Sequence, residues 1–291
     1  MKHIEGFNRF LAEEVNLNPA RRRELDRRTR AVTTFLSRSL NGYQSSERQG
    51  SYALDTIIRP VNDGEYDADI LVFMQNIRRK RAQDYIDDLY ACLRGYHDIA
   101  GSLHRKTRCV TVKYAGDFSL DVVPCIRRGE SLYVCNGEDD GLEPTDGTGY
   151  REWFNVKTEV TNGHLKGAVR LLKYLRDHKG NFEVPSVLLT TLAGHSVNVN
   201  ERGKRFTTLP DTLQTVSNRI NAFLQAVPRR PRLRNPALHS ERFDRHWDGN
   251  AYRNFREKFQ AYNDRINDAC AEMDPQVSLR KWQRLLGEKF R

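Results

Sequence analysis

Apolar positions recur at helical spacing from the start of the chain. Ile4, Phe7 and Leu11 predict a helix over residues 4–15. Asn18-Pro19 then supplies a cap and a first-turn proline. Leu25, Val32, Phe35 and Leu36 carry one apolar side onward, so a single helix should run from Pro19 to about Leu40, long enough to span two lobes. The period changes to that of a strand at Ile70-Leu71-Val72-Phe73, then returns to a helix over 82–94 with Ile86, Leu89 and Leu93 as its stripe. Residues 107–114 and 118–124 read as the two strands of a hairpin about an Ala115-Gly116-Asp117 turn, followed by a short strand at 132–135. The Gly/Asp-rich segment 136–149 reads as an exposed loop. Beyond it the pattern is helical: 164–178, 186–193 ended by Gly194, 209–226 and 251–273, with the Pro/Arg-rich segment 228–236 as a linker. The expected class is α+β: a strand-bearing lobe over 1–150 that includes the long N-terminal helix, and a helical lobe over 151–291.

Composition bounds this picture. A chain of 291 residues with 38% hydrophobic and 10% aromatic content can bury a real core. No apolar run approaches the roughly 20 residues of a membrane helix, and the N-terminal residues have no signal-peptide hydrophobic region. Five cysteines (Cys92, Cys109, Cys125, Cys135, Cys270) form no CxxC, and their odd number argues against a disulfide framework. A cytoplasmic, reduced protein without a membrane partner is expected. The net charge of +10 includes clusters at 21–30, 78–81 and 229–234. Such a surface attracts polyanions, triphosphates as well as nucleic acid. No basic motif with interleaved aromatics favours a dedicated nucleic-acid site.

The chemistry concentrates at Gln49-Gly50-Ser51-Tyr52 and Glu65-Tyr66-Asp67-Ala68-Asp69. Strand residues i and i+2 share a face, so Asp67 and Asp69 present two carboxylates side by side where the apolar run begins. Adjacent carboxylates repel unless a cation lies between them, and hard oxygen ligands suit magnesium or manganese. Asp121 is a third carboxylate, embedded in the returning strand between Leu120 and Val122. A charge there is costly unless paired or metal-bound. Glu65, two residues before Asp67, is an alternative ligand in another register. Gly50 and Ser51 offer backbone N–H groups and a hydroxyl suited to phosphate.

This ordered set, with Thr56, Arg59-Pro60 and Leu120-Asp121-Val122-Val123-Pro124, resembles the nucleotidyltransferase superfamily of DNA polymerase beta. More specifically it resembles the bacterial CD-NTases, relatives of cyclic GMP-AMP synthase that make nucleotide second messengers in anti-phage (CBASS) defence. The resemblance covers about residues 45–190. It implies a bilobed polymerase-beta-like fold in which a small mixed sheet carries the carboxylates and the helical lobe closes the nucleotide cleft. It implies two Mg2+ (or Mn2+) ions: Asp67 and Asp69 hold the donor-triphosphate metal and share the second with Asp121. Gly50 and Ser51 would cradle the donor phosphates. Lys173, on a basic helix face with Lys166 and Arg170, would reach the triphosphate. Ser186, at a helix start, would contact the nucleotide. The implied partners are ATP and other NTPs as substrates, a regulatory protein encoded nearby, and an effector that binds the product. The gap from Ser51 to Asp67 is longer than in many members, with Asn62-Asp63-Gly64 read as an extended turn. No His/Cys cluster stands for a zinc-bearing, DNA-binding insertion, so a nucleic-acid activator is not expected. Two rivals remain: template-independent nucleotidyl transfer to RNA or protein, and a non-catalytic binding module on the same fold.

Overall fold

The computed structural model describes residues 2–61, 64–114, 118–245 and 247–291. The helices are α1 (Ile4–Phe10), α2 (Pro19–Ser39), α3 (Gly50–Ala53), α4 (Ala82–Arg94), α5 (Gly147–Val160), α6 (His164–Lys179), α7 (Ser186–His195), α8 (Leu209–Ala226), α9 (Gly249–Ala271) and α10 (Pro275–Leu286). The strands are β1 (Tyr43–Gln49), β2 (Tyr66–Met74), β3 (Leu103–Arg105), β4 (Val110–Tyr114), β5 (Phe118–Arg128), β6 (Ser131–Asn136), β7 (Gly141–Thr145), β8 (Arg234–Asn235) and β9 (Leu238–Arg242). Two units emerge, one of Leu17–Ala53 with Asn62–Thr148, the other of Met1–Asn16, Leu54–Val61 and Gly149–Arg291.

The first unit holds a mixed sheet in the order β1-β2-β5-β4-β3, with β6 beside β5 and β7 beside β6. β2 and β5 run parallel, and the other pairs are antiparallel. β5 serves three neighbours because it is long. It pairs β2 from Phe118 to Ile126 on one side, and β4 then β6 in succession on the other. Along β2, Tyr66, Ala68, Ile70, Val72 and Met74 are buried on one face. The other face carries Asp67 and Asp69, then Leu71 and Phe73, which pack with Cys125 in a small apolar cluster. α4 buries Tyr85, Ile86, Leu89 and Leu93 against β3–β6. α2 starts as expected: the Asn18 side chain accepts from the Arg21 N–H at 2.8 Å, and Pro19 occupies the first turn. Leu25, Thr29, Val32 and Leu36 form its buried stripe, and the whole helix belongs to this unit.

The second unit is a helical bundle around one apolar cluster. Two segments outside the expected 151–291 span belong to it. Phe7 meets Trp282 and Phe290 edge-on, both at 4.8 Å between ring centres, which draws residues 1–16 in. Segment 54–61 joins through buried Leu54, an Asn16–Ile58 bridge, and the Arg59 N–H donated to the Val15 carbonyl at 2.8 Å.

Several sequence expectations change. Residues 4–15 form α1 and then a π-helical turn at Leu11–Val15. The segment 136–149 is not a loop: β6 and β7 pair as a hairpin whose turn uses the Gly/Asp residues, and α5 begins at Gly147. The Asn136 side chain accepts from the Glu138 N–H, and that of Asp139 from the Gly141 N–H, both at 3.0 Å. The linker 228–236 contains β8, paired with β9. Gly194 lies inside the last turn of α7, where the Trp153 ring passes over it; an added Cβ would meet that ring at 2.2 Å. α10, begun by the Asp274 cap and Pro275, had no counterpart in the sequence reading. The Ala115-Gly116-Asp117 turn and the Asn62-Asp63 part of the extended turn lie outside the described residues.

Candidate active site

The parallel pairing of β2 and β5 puts Asp69 directly beside Asp121, and Asp67 beside Ser119. Side chains of register partners share a face, so all three carboxylates stand on one side of the sheet. The carboxylates begin where the buried Leu71/Phe73/Cys125 cluster ends, which keeps them accessible: Asp67 is exposed, Asp69 and Asp121 partly so. Glu65 is also exposed but precedes β2.

Asp67 and Asp121 are each engaged by protein donors. The Ser119 hydroxyl donates to Asp67 Oδ1. Asp121 Oδ1 accepts from the Thr111 hydroxyl, its register partner across β4–β5. The Lys106 ammonium lies 3.3 Å from both Asp121 oxygens. Burial is the largest single influence on the Lys106 pKa and lowers it, but the Asp121 charge and hydrogen bond, with the nearby Cys109 and Asp67, together outweigh it and hold the value above that of an ordinary lysine. Among the described residues no three His, Cys, Asp or Glu side chains stand close enough to hold a metal as they are. The donor chemistry nonetheless fits a hard divalent cation: oxygen ligands only, negative, and gathered on one sheet face.

Gly50 opens the turn after β1 with φ +58°, and an added Cβ would lie 2.7 Å from Asp69 Oδ2. Glycine is required twice there, for the left-handed backbone and for the approach of the carboxylate. Ser51 follows in α3, and Tyr52 pins this turn to α2. Its hydroxyl donates to Asp26 Oδ1 at 2.6 Å, and Arg48 lies 4.4 Å above its ring. Burial, then the Asp26 hydrogen bond, pushes the Tyr52 phenol up to about 12.

Lys173 and Ser186 belong to the helical unit. Lys173 is 3% exposed, and its ammonium donates to the Thr56 carbonyl at 3.0 Å and hydroxyl at 3.2 Å. Its helix face is therefore not an open basic surface; on the same face Lys166 pairs with Asp55 at 3.2 Å. Ser186 is the first residue of α7, and its hydroxyl accepts from Arg176 Nη1 at 3.0 Å. Two cavities of about 530 and 510 Å3 lie in this unit, lined by Arg176, Phe182 and Trp247 and by Leu192, Arg219 and Phe223. None of the three aspartates lines either.

Sequence reasoning missed Lys106, Thr111, Ser119 and Asp26. Ser119 and Thr111 had a signal: one is at i−2 from Asp121, the other opposite it in the hairpin. Lys106 and Asp26 had none, because each reaches the site through a fold-dependent contact. The basic clusters are partly neutralised. Arg27 and Arg28 share Glu24, and Lys80 and Arg81 pair with Asp88 and Asp84. None of the five cysteines is in a disulfide. Among the described residues no helix is long and apolar enough to cross a membrane.

A mixed sheet that sets an Asp-x-Asp strand parallel to a third aspartate is compatible with a nucleotidyltransferase. Residues 1–157 match the Second Messenger Oligonucleotide or Dinucleotide Synthetase domain. The chain belongs to this family, whose members are metal-dependent nucleotidyltransferases of the CD-NTase class. A cyclic AMP-AMP-AMP synthase of Acinetobacter is 26% identical over 83% of this chain and 71% of its own length. Among solved structures, the CD-NTase CdnG of Bradyrhizobium diazoefficiens in complex with GTP superposes with a TM-score of 0.79 at 18% identity, covering 99% of this chain and 96% of its own. CdnC of E. coli MS115-1 with ATP gives 0.77 at 18% identity, covering 99% and 98%; it is also known in a complex with HORMA-deltaN. The chain is thus an enzyme that makes a nucleotide second messenger.

Proposed function

We propose that this enzyme joins free nucleoside triphosphates into a cyclic di- or trinucleotide, releasing pyrophosphate, with Asp67, Asp69 and Asp121 as its catalytic metal ligands. The observation that carries the reading is the Asp69–Asp121 register across β2 and β5, with Asp67 on the same face. Two bound Mg2+ or Mn2+ ions would supply positive charge to the triphosphate and lower the pKa of the attacking hydroxyl. Asp67 and Asp69 would hold the donor-side ion and share the second with Asp121. The Gly50 and Ser51 backbone amides and the Ser51 hydroxyl would orient the donor phosphates. Tyr52 keeps that turn fixed on α2.

Lys173 and Ser186 enter this reading on different terms. Each is engaged by a protein partner, Thr56 and Arg176 respectively. We assign Lys173 first to holding segment 54–61, which follows the phosphate turn directly in the chain. A phosphate contact would require either side chain to leave its partner. CBASS signalling, a cytoplasmic setting, a regulatory partner protein and a product-binding effector belong to the same proposal. The HORMA complex of CdnC supports the regulatory partner, and the second-messenger family supports a signalling role for the product.

The test is incubation of the purified chain with all four NTPs and Mg2+ or Mn2+. A phosphatase-resistant product with the mass of a cyclic di- or trinucleotide is expected without added nucleic acid. Extension of an added RNA as the only product would instead establish nucleotidyl transfer to a macromolecule.

A further inference from the structure

Lys106 is a charged group beside the aspartates that neither the motif nor the proposed reaction uses. It sits on the turn between β3 and β4, with its N–H donated to the Cys109 carbonyl at 2.9 Å. That bond fixes the turn beside β5. From there the ammonium reaches across to Asp121 and lies 3.3 Å from each carboxylate oxygen. A symmetric two-oxygen contact of this kind sets a positive charge on the axis of the carboxylate, where a chelated cation would also sit. Asp69 is the register neighbour of Asp121, and Asp67 shares the face. The ammonium therefore relieves repulsion among three acids on adjacent strands.

We propose that Lys106 is a resident counter-ion of the carboxylate site, and that a divalent metal binds by taking Asp121 from it. This rests on Asp121 being a metal ligand, as proposed above. Lys106 is half exposed, with a side-chain accessibility of 53%, so it can swing to solvent once displaced. Thr111 keeps its hydrogen bond to Asp121 Oδ1 from within the sheet and holds the carboxylate in place during the exchange. The consequence is a metal site that is stable when empty, at the expense of affinity.

The experiment measures Mn2+ binding to the full chain by calorimetry and by the EPR signal of free Mn2+, for wild type, Lys106→Met, Lys106→Arg and Asp121→Asn. Lys106→Met is expected to bind Mn2+ roughly three- to tenfold more tightly, as loss of a half-exposed competing charge predicts. Lys106→Arg, which keeps the charge, should stay near wild type. Melting temperatures add a second readout. Lys106→Met should melt lower than wild type without metal and equally at saturating Mn2+, because only the metal-free state loses its counter-ion. Unchanged or weaker Mn2+ binding by Lys106→Met, with Asp121→Asn weakened, would overturn the counter-ion role and leave the ligand assignment standing. Wild-type Mn2+ affinity in Asp121→Asn would overturn both. Equal loss of melting temperature with and without Mn2+ would reduce Lys106 to a packing role.

Discussion

Asp69 and Asp121 are register partners in neighbouring parallel strands, 52 residues apart in sequence and adjacent on one sheet face. Two like charges so placed are destabilising in themselves and useful only with a cation between them. Replacing Asp67 and Asp69 together with Asn keeps their shape and removes both charges. Pyrophosphate release should fall by several orders of magnitude. The melting temperature should hold or rise, since repulsion is relieved. A doubly substituted protein that releases pyrophosphate at the wild-type rate would remove these residues from the metal site.

Gly50 and Gly129 separate backbone strain from carboxylate placement. Both have left-handed backbones, at φ +58° and +60°, but a Cβ on Gly129 meets nothing within 4 Å whereas one on Gly50 meets Asp69. Alanine at either position should cost about 1–2 kcal/mol for the left-handed conformation. Only Gly50→Ala should also lose most of its turnover. Equal activity in the two variants, measured by pyrophosphate release, would show that the Gly50 approach to Asp69 is not used.

Lys173 donates to both oxygens of a buried threonine. Lys173→Met would leave the Thr56 carbonyl without that donor, at a cost of roughly 1–3 kcal/mol. Denaturant unfolding should show that loss, while ATP affinity in titrations changes less than twofold. Weakened ATP binding with unchanged stability would instead give Lys173 the triphosphate.

Asp211 ties the N-terminal segment to α8. Burial alone would raise its pKa, but hydrogen bonds from the Thr208 hydroxyl, Lys2 and Thr207 outweigh it and hold the carboxyl below the ordinary aspartate value. A carboxylate whose pKa is lowered by folding stabilises the protein above its unfolded pKa, and that contribution is lost as pH falls through the folded value. Asp211→Asn should therefore melt below wild type at neutral pH, and the difference should shrink below about pH 4. A difference independent of pH would trace the effect to packing.

Much of this protein was legible in its residues because local rules sufficed. Asn18-Pro19 capped α2 as read, and the 107–124 hairpin set Thr111 against Asp121 once its strands paired. Asp67 and Asp69 shared a face by the two-residue period of a strand. Periodicity could not say which strands become neighbours. The parallel β2–β5 pairing joins segments with β3, β4 and α4 between them in the chain, and only that pairing brings Asp121 to Asp69. Lys173 had the wrong surroundings in the sequence reading for the same reason. Its helix face looked basic and open, and segment 54–61 covers it through contacts more than 100 residues apart. The order of residues sets the chemistry on offer: three acids and a glycine turn at fixed spacings. The tertiary structure alone decided which acid meets which, and that Lys106 answers Asp121. Contacts between distant segments depend on long-range packing, which local periodicity does not encode.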